Sequence, residues 1–257
     1  MTTNSVAIVT GASQGIGRAT ALRLARDFSA IALVARNKES LENTAVEVRS
    51  IGAEAIVFAL DLREPQSAKA IVDEIVKRFS RSDALLNIAG AVAQIDLFQM
   101  TDAQWDDGMA LKLHGARRLT MQAWDALKAS NGSVVLMSGS AALDPKPGFA
   151  AVASINAAIN ALAKAFAEQG IKDGVQVNSV APGAVMTGRR KSFFEKWAPA
   201  HDLTAEDAIK KFPEIAGISR FGTPEEIADL MSYLLSPAAK WMTGASVRMD
   251  GGEVKGI

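Results

Sequence analysis

A glycine-rich turn near the start of the sequence constrains the fold more than any other feature. The short apolar run Val6–Thr10 ends at Gly11, and Gly15 and Gly17 follow before a stretch of helical character. Gly11 permits a sharp turn, Gly15 lets the backbone approach a phosphate group, and Gly17 permits close packing of the helix on the strand. The sequence therefore predicts a strand, a tight turn and a helix whose N-terminus binds an anion.

Short apolar runs and helical stretches then alternate along the rest of the chain. This alternation predicts right-handed βαβ units in one parallel sheet with helices on both faces, a Rossmann-like doubly wound α/β fold. No linker rich in proline, glycine or serine divides residues 1–257, so one dinucleotide-binding domain is expected. The predicted strands are Val6–Thr10, Ala30–Ala35, Ala55–Leu60, Asp83–Asn87, Ser133–Met137, Val175–Val180 and Ser246–Met249, and the predicted helices are Gly17–Asp27, Lys38–Ile51, Pro65–Phe79, Thr101–Ser130, Phe149–Gln169 and Pro224–Leu235.

The end of the second predicted strand indicates which dinucleotide the turn binds. An acidic residue there would accept hydrogen bonds from the ribose 2′-hydroxyl of NAD. Ala35 stands at that place and Arg36 follows, so a 2′-phosphate would meet a guanidinium. The sequence favours NADP(H), held also by the turn residues Ser13, Gln14 and Ile16. The alternatives are a tight turn in a non-binding α/β protein and a solvated arginine at a strand end.

Composition excludes several other kinds of site. The chain has no cysteine and two histidines, which excludes disulfides and thiolate catalysis and argues against a metal site. The 28 basic residues balance 28 acidic ones, which argues against nucleic acid or an anionic membrane as the main partner. The N-terminus lacks the pattern of a signal peptide, and no apolar run approaches the roughly 18 residues of a membrane span. A cytoplasmic protein is expected.

Several motifs spread along the chain fit one known family. They are Thr10–Gly17, Asp61-Leu62, Asn87–Gly90, Pro182-Gly183 with Thr187, and Thr243-Gly244 through Gly252. With them the sequence resembles the short-chain dehydrogenase/reductase family over essentially its whole length. The resemblance implies an NADP(H)-dependent oxidoreductase of a small carbonyl or alcohol substrate. It also implies further cofactor contacts, with Asp61 and Leu62 beside the adenine, Asn87, Ala89 and Gly90 along the cofactor path, and Pro182, Gly183, Val185 and Thr187 at the nicotinamide end.

The residues that this family uses for chemistry are replaced. The family's Tyr gives a proton to the substrate carbonyl, a Lys four residues on lowers the pKa of that Tyr, a Ser polarises the carbonyl, and an Asn anchors a relay water. Counting along the Ala-rich helix puts Val152 at the Tyr position and Asn156 at the Lys position. Gly139 stands at the Ser position and Lys112 at the Asn position. The single tyrosine, Tyr233, belongs to a C-terminal helix, so no shift of register restores the Tyr.

Three interpretations of this site stay open. In the first the site is rebuilt: Lys112 supplies a cation, Ser138 or Ser140 polarises the carbonyl, and Asn156 hydrogen-bonds the ribose. Lys112 then needs a polar partner, because an unpaired buried cation is costly. In the second the protein binds NADP(H) without chemistry, as a sensor or as a subunit that supports an active relative. In the third a non-redox reaction uses the same crevice. His114, two positions from Lys112 on a helix, is expected to be structural.

The stretch Thr187–Gly222, where basic and aromatic residues mix, is predicted to be irregular, and the resemblance implies a substrate lid at about these residues. Arg189, Arg190 and Lys191 could meet an acidic or phosphorylated ligand there, and the neighbouring aromatic residues an apolar body. The alternative, which the sequence favours, is an amphipathic lid helix with a solvated basic end.

The long helix Thr101–Ser130 and the Ala-rich helix Phe149–Gln169 are the surfaces through which relatives pair. Small residues such as Ala157 and Ala161 would let two helices approach closely. A homodimer or homotetramer of closed symmetry is therefore expected.

Overall fold

Seven strands form one parallel sheet in the computed structural model, which describes residues 4–256, in the order β3-β2-β1-β4-β5-β6-β7. Since β1 pairs with both β2 and β4, the strand order reverses between β1 and β4, and their carboxyl ends border a crevice. The strands are β1 (Val6–Thr10), β2 (Ala30–Ala35), β3 (Glu54–Ala59), β4 (Ala84–Asn87), β5 (Ser133–Met137), β6 (Gln176–Pro182) and β7 (Ser246–Met249).

Helices cover both faces of this sheet. One face packs on α3, α5 and α6 through buried side chains such as Ile71 and Leu119, and the other packs on α1, α2 and α9 through Leu24 and Met231. The predicted single-domain, Rossmann-like α/β fold is confirmed. The helices are α1 (Gly15–Leu24), α2 (Lys38–Ile51), α3 (Pro65–Phe79), α4 (Asp102–Met109), α5 (Ala116–Ala129), α6 (Ala150–Asp173), α7 (Gly188–Trp197), α8 (Ala205–Ala216) and α9 (Pro224–Leu235).

The predicted helix Thr101–Ser130 is interrupted in the structure. A π-helical turn, Ala110–Gly115, lies between α4 and α5. Gly115 packs closely against Leu62: a Cβ atom added at this glycine would lie only 3.1 Å from Leu62. Single π-helical turns inside α-helices are frequent at functional sites, and this one carries Lys112.

Residues 187–222, expected to be irregular, contain α7 and α8. An aromatic cluster holds these two helices together, with Phe194 fully buried and its ring 5.3 Å from that of Phe212. Thr187 and Thr204 cap the two helices by accepting hydrogen bonds from Arg190 and Asp207 backbone N–H groups. The expectation of an irregular segment is wrong, because it weighed the mixture of basic and aromatic residues and missed these caps.

Among the described residues, one helix is long and apolar enough to cross a membrane by length and composition, against the expectation that no run approaches that length. It spans Pro147–Asp173, including the short 3₁₀ turn that precedes α6. One face of this helix, with Ile155, Ile159 and Ala163, is buried within the protein, and Ala157 and Ala161 are exposed on another.

The close approach of α1 to β1 depends on Gly17, which generates a first prediction. A Cβ atom at this position would lie 2.2 Å from the carbonyl oxygen of Gly11. We expect Gly17→Ala to lower the free energy of unfolding by about 1–3 kcal/mol, measured by urea denaturation, because α1 must move away from the sheet. Gly148→Ala is the control, since nothing lies within 4 Å of its added Cβ. Equal stability of the two variants would contradict this account of the turn.

Candidate active site

A cleft of about 690 Å³ opens where β1 and β4 end. This volume lies within the range of cofactor and small-molecule sites. The glycine turn, the ends of β2, β3 and β4, and the start of α7 all contribute to its walls. The predicted cofactor contacts that line it are Gly11, Ser13, Gln14, Gly15, Ile16, Gly17, Arg36, Asp61, Leu62, Ala89, Gly90 and Thr187.

The glycine turn is shaped to receive a diphosphate. Gly11 and Gly15 have φ angles of +70° and +55°, which side-chain-bearing residues rarely adopt. Gln14 precedes α1, and its side chain makes no capping hydrogen bond. The first backbone N–H groups of α1 therefore lack a side-chain acceptor. A Cβ atom at Gly11 would lie 3.2 Å from the backbone of Ala89. The absence of a side chain at Gly11 therefore lets the chain after β4 lie close to the turn. These features fit a dinucleotide diphosphate at the helix N-terminus.

Arg36 lies at the rim of the cleft beside the predicted adenine end. Its guanidinium is 3.8 Å from a carboxylate oxygen of Asp61, and its side chain is 64% exposed. Asn37 caps α2 by accepting a hydrogen bond of 2.9 Å from the Ser40 N–H. Asn37 and Ser40 also line the cleft, which the sequence reasoning missed. The long ion pair leaves the Arg36 guanidinium free to turn toward a 2′-phosphate.

Several predicted cofactor contacts lie outside the lining of this cleft. Asn87 is buried, and its Nδ2 donates a hydrogen bond of 3.0 Å to Thr120 Oγ1. Because side chains alternate along a strand, Asn87 shares with Leu85 the face of β4 that packs on α5. The others are Asn156, Pro182, Gly183 and Val185, and Val185 lines a separate, smaller pocket beside β7.

Lys112 is buried between the π-helical turn and α6. Its Nζ donates hydrogen bonds to Asn156 Oδ1 and to the backbone oxygen of Ser138, the latter at 3.2 Å. Burial, together with the smaller effect of the nearby charge of Arg189, lowers the pKa of this amine to about 7. The predicted polar partner of Lys112 is therefore present, and it is the predicted site residue Asn156.

The two serines at the end of β5 have different roles. Ser138 is buried, and its hydroxyl donates to the backbone oxygen of Asn156 at 2.9 Å. Ser140 is partly exposed, and its hydroxyl donates to Glu253 Oε2 at 3.2 Å. The expectation that Ser138 polarises a substrate carbonyl is not supported by this geometry, because its hydroxyl faces α6. Ser140 remains the candidate for polarising a substrate carbonyl. Its partner Glu253 was not predicted from the sequence.

The basic start of α7 faces the cleft. Arg189 donates hydrogen bonds to the backbone oxygens of Gly90 and Val92, at 2.9 and 2.6 Å. Arg190 lies over the rings of Phe193 and Phe212, 5.9 and 5.6 Å from their centroids. Arg189 and Lys191 are exposed, as expected for a solvated basic end, whereas Arg190 is only partly exposed and stacks on the two rings. The expectation is therefore wrong for Arg190 alone.

Comparisons with known proteins agree on one family. A family model described as enoyl-(acyl carrier protein) reductase matches residues 11–253. The short-chain reductase protein NovJ of Streptomyces niveus is 32% identical over 96% of this chain and 93% of its own length. A 3-oxoacyl-[acyl-carrier-protein] reductase, FabG, of Thermotoga maritima is 28% identical over 97% of both chains. This chain belongs to the short-chain dehydrogenase/reductase family.

Solved structures of family members superpose closely on this chain. L-sorbose reductase from Gluconobacter frateurii, complexed with NADPH and L-sorbose, has a TM-score of 0.93 and 27% identity, covering 98% of this chain and 97% of its own. An NAD⁺-bound xylitol dehydrogenase has a TM-score of 0.88 and 28% identity, covering 97% and 98%. For this short-chain dehydrogenase/reductase they support oxidoreductase activity with a nicotinamide dinucleotide.

The buried lysine makes the stability of the protein depend on pH. The pKa of Lys112 is about 7 in the folded chain, against 10.5 ordinarily, so the unfolded chain binds more protons between these values. The free energy of unfolding should therefore rise with pH in this window. We expect the unaltered protein to gain up to about 1.4 kcal/mol per pH unit relative to Lys112→Met, measured by urea denaturation at several pH values.

Lys164→Met is the matched control for this comparison. Lys164 lies on α6 with 58% of its side chain exposed, in an ion pair with Glu168. In Lys164→Met the free energy of unfolding should still rise with pH as it does in the unaltered protein. Parallel stability curves for Lys112→Met and the unaltered protein would show that the amine is not held in a low-pKa environment.

Proposed function

We propose that this protein is an NADP(H)-dependent oxidoreductase of a small carbonyl or alcohol substrate, in which Lys112 carries the proton-transfer role. The carrying observation is the buried hydrogen bond between Lys112 Nζ and Asn156 Oδ1 beside the cleft. A bound, reduced nicotinamide would supply hydride to the carbonyl carbon. The chain must then place a proton on the carbonyl oxygen and exclude water.

Lys112 suits this role by its acidity, and its side chain lies directly behind Gly90 of the cleft wall. In the reductive direction its ammonium group gives a proton from Nζ to the substrate oxygen and regains one from water. A proton donor works best when its pKa lies near the working pH, and burial brings the pKa of Lys112 to about 7. Ser140 can donate a hydrogen bond to the same oxygen once it turns from Glu253.

The replaced positions fit one another sterically, which favours a rebuilt site over a decayed one. A Cβ atom at Gly139 would lie 2.6 Å from Asn156 Nδ2, closer than real Cβ contacts come. Gly90, which is not replaced and belongs to the family motif Asn87–Gly90, also leaves space here, since an added Cβ would lie 3.0 Å from Lys112 Cδ. A glycine at 139 therefore makes room for an asparagine at 156, which in turn accepts the hydrogen bond of the displaced cation. Random loss of a catalytic set has no reason to produce such matched spaces.

Cofactor choice follows from Arg36 in this proposal. No carboxylate stands at the end of β2 to receive the NAD ribose, and Arg36 offers its guanidinium there. A homo-oligomer, dimer or tetramer, is also proposed. In its support, the strand β7 lies at the sheet edge with most of its side chains exposed, and Met121 and Ile171 are exposed on α5 and α6. Cytoplasmic location stays a prediction.

Arg36 should decide between the two nicotinamide cofactors. We expect Arg36→Ala to weaken NADPH binding about tenfold or more, because a charge-assisted contact with the 2′-phosphate is lost, and to leave NADH binding unchanged. Fluorescence titration of the unaltered protein and the variants with NADPH and with NADH measures these affinities. Arg26→Ala, an exposed arginine after α1, is the control. Equal losses for NADPH and NADH would remove Arg36 from cofactor selection.

We expect Lys112 to be needed for turnover and not for cofactor binding. On a panel of aldehydes and ketones, we expect Lys112→Met to lower kcat by about 10²–10⁴ while the NADPH dissociation constant changes little. In the unaltered protein the reductive kcat should fall as pH rises above about 7, because the amine loses its proton. Lys164→Met should behave as the unaltered protein. Undiminished turnover in Lys112→Met would exclude the rebuilt site.

The same experiment separates the alternative function. A protein that binds NADPH tightly but reduces nothing on the panel would be a cofactor sensor or a supporting subunit. The observation that favours this alternative is Val152, whose side chain holds no proton to transfer at the family's Tyr position. Turnover of a ligand with no NADPH present would instead indicate non-redox chemistry in the crevice.

A further inference from the structure

We propose that the substrate is a carbonyl compound that carries a carboxylate group, and that Arg189 and Arg190 bind this carboxylate. The inference rests on the proposed function, since it names the substrate class of the same site. It is carried by Arg189, which lines the cleft, by Arg190, which follows it on α7, and by Lys112, which is buried behind Gly90.

Arg189 and Lys112 meet on opposite sides of Gly90. The Arg189 guanidinium donates to the Gly90 backbone oxygen at 2.9 Å, and the Lys112 side chain packs against the Gly90 Cα, where an added Cβ would lie 3.0 Å from Cδ. The charge of Arg189 also lowers the pKa of Lys112, as expected for neighbouring cations. Arg189 therefore faces the chemical end of the cleft.

Arg190 approaches the same end from the lid. Its guanidinium is stacked on Phe193 and Phe212, and burial lowers its pKa, while the charge of Glu253 raises it. Glu253 in turn accepts the hydrogen bond of Ser140. Arg190 is thus linked through one carboxylate to the serine that remains available to the substrate.

Positive charge at this end exceeds negative charge. Among the described residues, no carboxylate lies within ion-pair distance of Lys112, Arg189 or Arg190, and Glu253 is the acid that acts on Arg190. The hydrogen bonds of Arg189 go to backbone oxygens, which carry no full charge. Neighbouring cations without an ion-pair partner repel one another, and a bound anion relieves this repulsion. An anionic ligand would supply that charge.

A substrate carboxylate suits this place better than a cofactor phosphate. The diphosphate is received at Gly15, and Thr187 covers that glycine, with its Cγ2 3.5 Å from an added Cβ. Arg189 points away from Gly15, toward Gly90 and Val92. A planar carboxylate matches the fork of a guanidinium, and Phe193 offers an apolar wall to the carbon chain.

Matched acids and esters test this inference. The probes are 2-oxobutanoate, 4-oxopentanoate and 5-oxohexanoate, each with its methyl ester, titrated by calorimetry into the protein with and without NADP⁺. Initial rates with NADPH are measured on the same probes. We expect at least one acid to bind about tenfold or more tightly than its ester, because the ester cannot form the charge-assisted hydrogen bonds.

Variants of the basic turn assign the effect to residues. Arg189→Gln and Arg190→Gln should each reduce the preference for the acid by about tenfold, with thermal denaturation confirming the fold. Lys191→Gln is the control, since Lys191 is an exposed cation of the same turn. It should keep the full preference.

The outcomes separate the two proposals. Esters that bind as tightly as acids across the series would overturn the inference, as would arginine variants that lose NADPH affinity and keep the acid preference. A preference for acids in a protein that binds no NADPH would support the anion site and contradict the proposed function.

Discussion

The hydroxyl of Thr10 joins the ends of the two strands on which the cleft depends. Its Oγ1 donates to the Leu86 backbone oxygen at 3.3 Å and accepts from the Ile88 and Ala89 N–H groups at 2.8 and 2.9 Å. These contacts hold β4 beside β1 at the point where the strand order reverses, although the helices that follow the two strands diverge. The glycine turn on one side and the loop after β4 on the other become the walls of the cofactor cleft.

A buried amine lies behind the wall of that cleft at Gly90. The Lys112 amine is buried, so it needs hydrogen-bond acceptors within the protein. Asn156 Oδ1 and the backbone oxygen of Ser138 are these acceptors. The contact requires the π-helical turn that carries Lys112 and the absence of side chains at Gly90 and Gly139. Lys112, Asn156 and the backbone of Ser138 thus form one hydrogen-bonded unit.

The lid adds charge to this unit. Caps at Thr187 and Thr204 and the packing of Phe194 and Phe212 set α7 so that Arg189 reaches Gly90 at the cleft wall and Arg190 stacks on aromatic rings. A chain with formal net charge +0 thus concentrates cations locally, in a place that the nicotinamide end of a cofactor would border. Overall charge balance says nothing of such a patch, because it sums residues that the fold keeps far apart.

From the sequence alone follow the single α/β domain, the position of every strand to within two residues and the glycine turn. These depend on local patterns: apolar runs of strand length, and residues that backbone geometry requires at a turn. The contact of Lys112 with Asn156, the reach of Arg189 to Gly90, the presence of Glu253 beside Ser140 and the inward face of Asn87 belong to the tertiary structure. They join residues tens of positions apart, and no short pattern records which way a long side chain turns once strands and helices pack.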